Sequence, residues 1–370
     1  MKVTEAAKIS NLQELTVNVA IGKGSCPFAC SYCFYEKQEP YQEMSEQVLY
    51  ASIDFIRKYA VQKPKYHFFG TEPLVKFDLI RKAREYDKEL PMAITTNGYL
   101  LNDNIVNWLA ENDVKVTVYS IDGNAWHNRH RKLVSGEPVW DRIASNFQKL
   151  LPYHREWMTA RGTWTPDDYD LVGRFKALEE LGAKRITIIP AINYKDWDEQ
   201  RVANAYMELA EYYESRDIEP PCHLLRGALD SIGKQGSWHH DKCHLGAYAW
   251  GLLPNGDLML CHNGSDLSKW IIGNIFSDEI NEDNLKWGQR THLFHDEVAA
   301  KCSDCSAQNI CMGIGWCAAE NYRANKDIFK PSIGYCNFMR GFASGLVYWL
   351  NLRTKKILAK KYGIEVLGIK

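Results

Sequence analysis

Residues 26–33 read "CPFACSYC", three cysteines spaced by three residues and then by two, shortly after the apolar run "LTVNVAI" (15–21). Four thiolates close a structural zinc site or ligate a complete iron–sulfur centre; three do neither. A cubane held by three protein ligands leaves one iron open, which is what a metal needs in order to act on a substrate. A zinc knuckle would instead have to borrow a distant fourth ligand. The rest of the chain has to decide what fills the missing position.

Outward from this loop, the sequence from 15 to about 217 alternates short apolar or β-branched runs with longer segments of helical period. Six strands are expected, at 15–21, 65–70, 91–97, 115–121, 157–163 and 184–190, each followed by a helix. This is the pattern of βαβ units in a parallel sheet. In the first helix Ser45 is placed to cap, and Leu49, Ile53, Ile56 and Ala60 fall on one stripe. In the last, over 196–217, Val202, Ala205, Tyr206, Leu209 and Tyr213 share a face. Six units fall short of the eight that close a barrel.

Ligands of parallel α/β sheets bind at the carboxyl ends of the strands. The unusual local sequences stand at those ends: "CPFACSYC" after strand one, then "GTEP" (70–73), "TTNG" (95–98), "SIDG" (120–123) and "RGT" (161–163). One rim of the sheet collects them.

Composition excludes several classes. The 370 residues carry 45 basic and 46 acidic side chains, which gives no electrostatic case for nucleic acid. No apolar run approaches ~18 residues and the N-terminus lacks a secretory pattern, so a cytoplasmic protein without membrane partner is expected. Eleven cysteines in such a protein point to metal ligation rather than disulfides.

The Cys-x3-Cys-x2-Cys spacing, with Tyr32 before the last cysteine and "FY" after it, resembles the radical S-adenosylmethionine (SAM) superfamily, and "GTEP", "TTNGYLL", "SIDG" and "RGTWTP" resemble its landmarks in order. The resemblance implies a partial (β/α)6 TIM-like barrel, α/β in class, with one [4Fe-4S] cluster on Cys26, Cys30 and Cys33. SAM would fill the open iron and yield a 5'-deoxyadenosyl radical. Gly70, Thr71 and Glu72 would hold its amino group, although the family more often has a glycine where Thr71 stands. Asn97, Ser120 and Asp122 lie where the family contacts ribose and carboxylate, and Arg131 and Arg161 are candidate carboxylate partners.

Seven further cysteines fall within residues 243–336. Cys243 and Cys261 flank the turn "PNGD" between two strand-like runs. Cys302, Cys305, Cys311 and Cys317 follow, then Cys336. This resembles the SPASM extension of radical SAM enzymes, with two auxiliary [4Fe-4S] clusters. The resemblance puts Cys302, Cys305, Cys311 and Cys336 on the distal cluster and Cys243, Cys261 and Cys317 on the nearer one. Cys222 is open to three readings: fourth ligand, hydrogen donor, or inert buried thiol. His239, His240, His244 and His262 lie near these thiols in sequence, each readable as a plain hydrogen-bonding residue.

The organisation expected from this is a radical SAM partial barrel over 1–220, a SPASM-like auxiliary-cluster domain over 221–345 and a C-terminal helix over 346–370. The expected activity is oxidative modification of a peptide or protein, by cross-link or side-chain oxidation, with electrons from a donor such as flavodoxin or ferredoxin. Anaerobic sulfatase maturation is the second reading. The maturase carboxylate that follows the cysteine matching Cys261 is replaced by His262, a residue able to accept a proton. Small-molecule alcohol dehydrogenation, peptide epimerisation through Cys222 and a zinc-binding interaction protein complete the alternatives.

Overall fold

The computed structural model describes residues 1–33, 41–60, 62–191, 194–233, 243, 245–293, 302–307, 310–311 and 317–362. His239, His240, His244 and the aromatic pair after Cys33 lie outside the described residues. In chain order the elements are α1 (Val3–Ser10), β1 (Glu14–Asn18), β2 (Ala20–Ile21), β3 (Gln42–Glu43), α2 (Glu46–Tyr59), β4 (Lys65–Phe69), α3 (Phe77–Tyr86), β5 (Met92–Thr96), α4 (Asp103–Glu111), β6 (Val114–Ser120), α5 (Trp140–His154) and β7 (Thr159–Trp164). They continue as α6 (Leu171–Glu180), β8 (Ile186–Pro190), α7 (Glu199–Arg216), α8 (His223–Gly233), β9 (Ala249–Leu252), β10 (Asp257–Met259), β11 (Ile271–Asn274), α9 (Glu282–Gln289), α10 (Ala318–Asn325) and α11 (Ile333–Tyr362).

All six expected strands form, with one difference. The run 15–21 breaks at Val19: β1 pairs in parallel with β4, whereas the short β2 changes partner and pairs antiparallel with β3. The chain packs as two compact units. One holds Met1–Gly162, Leu178–Arg185 and His244–His292; the other holds Thr163–Ala177, Ile186–Cys243 and Leu293–Lys370. This division does not follow chain order.

In the first unit the strands lie in the order β11-β10-β9-β1-β4-β5-β6-β7. Neighbours from β1 to β7 are parallel, and so are β1 and β9. The hairpin around "PNGD" therefore extends the main sheet, because β9 docks its edge on β1 with Glu14 opposite Ala249. Side chains alternate across this sheet, as the two-residue period requires. Tyr66 and Phe68 are buried on the face toward α2, where the Tyr66 hydroxyl meets Ser52 at 2.6 Å. His67 and Phe69 therefore point to the opposite, inner face. The Ser45 hydroxyl caps α2 by accepting from the Val48 N–H, and Leu49, Ile53 and Ile56 are buried as expected; Ala60 follows the helix and is half-buried.

In the second unit α11 packs along α7. Their approach is close enough that a Cβ on Gly341 would lie 2.3 Å from the Glu199 carbonyl oxygen, and one on Gly345 2.3 Å from Tyr206 Cβ. Around this seam Trp164, Trp197, Tyr206, Phe338 and Phe342 stack edge to face. Helical glycines cost about 1 kcal/mol each against alanine, and here close packing offsets that cost. The last helix consequently starts at Ile333 rather than near 346, and it carries Cys336 in its first turn. Among the described residues no helix is long and apolar enough to cross a membrane.

Candidate functional site

The cysteine loop is held by the segment that follows β6. Its backbone runs alongside residues 130–134: Ala29 donates to the Lys132 carbonyl at 2.8 Å, Ser31 to His130 at 3.2 Å, and Val134 back to Pro27 at 3.0 Å. Ser31 Oγ and His130 Nδ1 meet at 2.9 Å. The Cys26 thiol accepts from the Phe28 N–H at 3.4 Å and from Asn97 Nδ2 at 3.5 Å. Burial pushes this thiol far up, and the nearby Glu72 carboxylate, then Cys30 and Cys33, add to the effect. Left to itself, the Cys26 thiol resists ionising.

Glu72 joins "GTEP" to "TTNG". One carboxylate oxygen accepts from the Leu74 N–H (3.1 Å) and Thr96 Oγ1 (2.8 Å), the other from the Asn97 N–H (2.7 Å). Burial raises its pKa to about 7 against these three bonds. Two glycines shape the same rim. Gly70 has φ +109°, and a Cβ there would lie 2.2 Å from Asn18 Oδ1; Gly98 has φ +74°, with Tyr119 Oη 1.9 Å from its would-be Cβ. Both positions need glycine sterically. Thr71 Oγ1 donates to the Ala20 carbonyl at 2.9 Å, so the side chain that departs from the family pattern anchors the loop to β2.

The raised pKa of Glu72 makes a prediction for the metal-free protein. A carboxyl whose folded pKa lies above its unfolded value stabilises the fold below the unfolded pKa and loses that contribution as pH rises. Stability should therefore decline between pH 4.5 and about 7, by about 1.4 kcal/mol for each pH unit crossed. Denaturant unfolding across this range should show the slope, and Glu72→Gln should flatten it. A wild-type slope shared by the variant would assign the effect to another group.

Asp122 and Arg131 are brought together rather than left facing outward. Arg131 Nε and Nη2 donate to Asp122 Oδ2 and Oδ1, both at 2.9 Å, and the pair is buried, with 6% and 0% of the side chains exposed. Tyr32 donates its hydroxyl to Asp122 Oδ2 at 2.5 Å, so the aromatic of the cysteine loop is tied to the end of β6. Burial opposes the Arg131 charge and the Asp122 carboxylate more than restores it, holding the guanidinium above its ordinary range. Arg161 stands opposite Ser120 in the β6–β7 register. Its side chain has no hydrogen bond or ion pair among the described residues, and burial, then Arg131, lower its pKa. Arginine nevertheless keeps its charge.

Cys261 and His262 follow β10 in the same unit. The His262 ring lies 4.0 Å from that of Phe69, and its Nδ1 is 3.9 Å from Cys261 Sγ. Burial, then His67 and Arg161, lower the imidazole pKa to about 3, with Glu14 opposing. It is neutral at pH 7 and a weak base. In the second unit the Cys336 thiol is pushed up by burial, opposed by Arg340, and lies within electrostatic range of Cys302 and Cys305. Tyr335, next to it, feels Cys311, Cys317 and Cys336. Cys222 precedes α8, its thiol resting on the N–H groups of Leu225 and Leu224 and on Thr187; burial raises its pKa. Those contacts suit a helix-capping thiol. Cys243 falls in the second unit and Cys261 in the first.

With this geometry in place, comparison with known proteins gives the class. Residues 23–159 match the radical SAM superfamily. A stretch of 147 residues is 31% identical to the serine-type anaerobic sulfatase-maturating enzyme of Bacteroides thetaiotaomicron, covering 36% of this chain and 35% of that protein. Another relative, an uncharacterised protein of Methanocaldococcus jannaschii, is 32% identical over 119 residues, 30% of this chain and 41% of that one. The matches thus span about a third to two fifths of the curated relatives' lengths. Among solved structures, native anSMEcpe with bound AdoMet superposes with TM-score 0.73 at 18% identity, over 92% of this chain and 98% of that one. SuiB of Streptococcus suis bound to precursor peptide SuiA gives 0.59 at 16%, over 88% and 76%. The chain thus resembles the radical SAM superfamily over residues 23–159. Its fold is the largely parallel α/β partial barrel shared by anSMEcpe and SuiB.

The match over residues 23–159 supports SAM and a [4Fe-4S] cluster as ligands, and residue types at the strand ends suit them. Cys26, Cys30 and Cys33 lie within eight residues of one loop, and thiolates of such a loop suit a cationic iron core. The Glu72 carboxylate suits an ammonium group, and the Arg161 guanidinium suits a carboxylate.

Proposed function

We propose that this enzyme carries out a two-electron oxidation of a peptide or protein side chain. The observation that carries the reading is the fold, shared over 92% of the chain with anSMEcpe and extending through the thiol-rich C-terminal region. Structures of anSMEcpe hold a Cp18Cys peptide, and SuiB holds its precursor peptide, which supports a peptide as the substrate class here. SAM and the reduced cluster, when bound, supply hydrogen-atom abstraction from an unreactive C–H bond.

The protein's own residues bind and orient. Cys26, Cys30 and Cys33 hold the SAM-binding cluster. Gly70, Thr71 and Glu72 shape the amino-group site, with Asn97 and Ser120 beside it. Arg161 is the better carboxylate partner of the two arginines, since Arg131 is committed to Asp122. In the second unit Cys302, Cys305, Cys311 and Cys336 hold one auxiliary cluster. The sequence resemblance assigns Cys243, Cys261 and Cys317 to the other, and Cys222 serves the fold. A flavodoxin or ferredoxin as electron donor and a cytoplasmic setting complete the proposal.

Maturation of a sulfatase-type serine to an aldehyde is the second reading, favoured by the 31% identity to the serine-type maturase. The weakly basic His262, in place of a carboxylate, counts against it. Mass spectrometry separates the outcomes. A modified peptide should be lighter by ~2 Da per event, one pair of hydrogens, with one SAM consumed. An aldehyde would react with a hydrazide probe and a cross-link would not. An unchanged mass with inverted chirality would replace oxidation by epimerisation.

A further inference from the structure

The geometry points to a proton relay, Glu14–His67–Thr95, that takes a proton from the substrate on the inner face of the sheet. None of the three belongs to a strand-end motif, except that Thr95 opens "TTNG". The inference rests on the reading above that the substrate is oxidised by two electrons.

The chain of groups is laid out by strand register. His67 Nδ1 lies 3.3 Å from Glu14 Oε1, and His67 Nε2 lies 3.0 Å from Thr95 Oγ1. Thr16 Oγ1 also donates to Glu14 Oε1 at 3.3 Å. Burial would raise the Glu14 pKa, but the hydrogen bond and charge of His67, then Lys65 and Thr16, outweigh it and the net shift is downward. Glu14 is therefore an anion. An anion beside Nδ1 selects the Nδ1–H tautomer, which leaves the Nε2 lone pair to accept the Thr95 hydroxyl proton. A hydroxyl, a base and an orienting carboxylate in series is the arrangement that moves a proton off a bound group.

Its place suits the reaction. Thr95 and Asn97 alternate onto one face of β5 and its extension, about 7 Å apart along the strand, and Asn97 reaches Cys26. On the same face the ring of Phe69 stands between those of His67 and His262, at 5.9 and 4.0 Å. The side chains of His67 and Glu14 are 18% and 28% exposed, so they meet solvent.

Oxidation of a carbon bearing a heteroatom X–H removes one hydrogen atom, one electron and one proton. The hydrogen atom and electron leave by the SAM-derived radical and an auxiliary iron–sulfur cluster of the proposed function. The X–H proton passes to Thr95 Oγ as the hydroxyl proton of Thr95 passes to His67 Nε2, and the imidazolium is stabilised by Glu14. No bond to carbon forms or breaks in this step.

The test uses holoenzyme and a pool of synthetic peptides built from β-deuterated residues, with melting of each metal-free variant to show that it folds. Wild type should move deuterium into 5'-deoxyadenosine and release product. Thr95→Val and Glu14→Gln should keep deuterium transfer within about twofold while product per 5'-deoxyadenosine falls at least tenfold, and Thr95→Ser should restore it. An unchanged product ratio in folded variants would overturn the relay and leave the oxidation reading intact. Loss of deuterium transfer together with product would reduce the three residues to a positioning role, also overturning it. A wild-type chain that takes no deuterium from the pool would overturn the peptide reading, and the relay with it.

Discussion

Replacing Cys26, Cys30 and Cys33 together by alanine is expected to remove about four of roughly twelve irons per chain and to abolish SAM cleavage. The first number follows from one cubane lost among three, the second from loss of the iron to which SAM binds. Alanine is the right substitution because serine keeps an oxygen that can ligate. The fold should survive, since the loop is held mainly through its backbone against residues 130–134. Metal-free wild type and variant should therefore melt within a few degrees of each other. Iron and sulfide analysis after anaerobic reconstitution, with chromatography of 5'-deoxyadenosine, reads both effects. Retained SAM cleavage would remove the central assignment, and zinc in place of iron would revive the interaction-protein reading.

Much of the architecture was legible in the sequence because its signals are local. Six strands and the helices on them follow from periodicity, and even the Ser45 cap is visible three residues ahead of the donor it accepts from. The strand-end motifs showed where the site lies because a parallel sheet gathers loops at one edge. Other features depend on pairing between distant segments. The docking of Ala249–Leu252 on Glu14–Asn18 cannot be read from either segment alone. Asp122 and Arg131 looked like ligand contacts, since a motif gives position and says nothing of what a neighbour nine residues away will do with it. Glu14 and His67 carry no motif at all. Alternation with buried Leu15 and with Tyr66 and Phe68 could have placed both on the inner face, and only register shows that they meet. The reason for the glycines of α11 is visible only where α7 packs against them.

The buried Asp122–Arg131 pair carries the second large expectation: Arg131→Met should cost about 3–5 kcal/mol of unfolding free energy, because it leaves Asp122 charged and without its partner in the interior. Surface pairs such as Lys2–Asp278 should contribute less than about 1 kcal/mol. The pair has a further consequence through Tyr32, whose hydroxyl donates to the same carboxylate oxygen as Arg131 Nε. Without the guanidinium, Asp122 loses the two hydrogen bonds that orient its carboxylate, and the bond that ties the cysteine loop to β6 weakens. Arg131→Met should therefore lower iron retention at the first cluster beyond what its stability loss alone would produce. Tyr32→Phe should do so while removing only one charge-assisted hydrogen bond, about 1.5–3 kcal/mol. Removing both charges, as in Arg131→Met with Asp122→Leu, should recover part of the stability, since an apolar pair avoids the unpaired charge, yet it should not recover the iron. Denaturant unfolding of the metal-free variants gives the energies, and the spectrum and iron content of reconstituted protein give the loop. An Arg131→Met protein within about 1 kcal/mol of wild type would show the pair to be wet rather than buried. If the double variant held its iron normally, Tyr32 would be a neighbour of the cluster loop and not its tether.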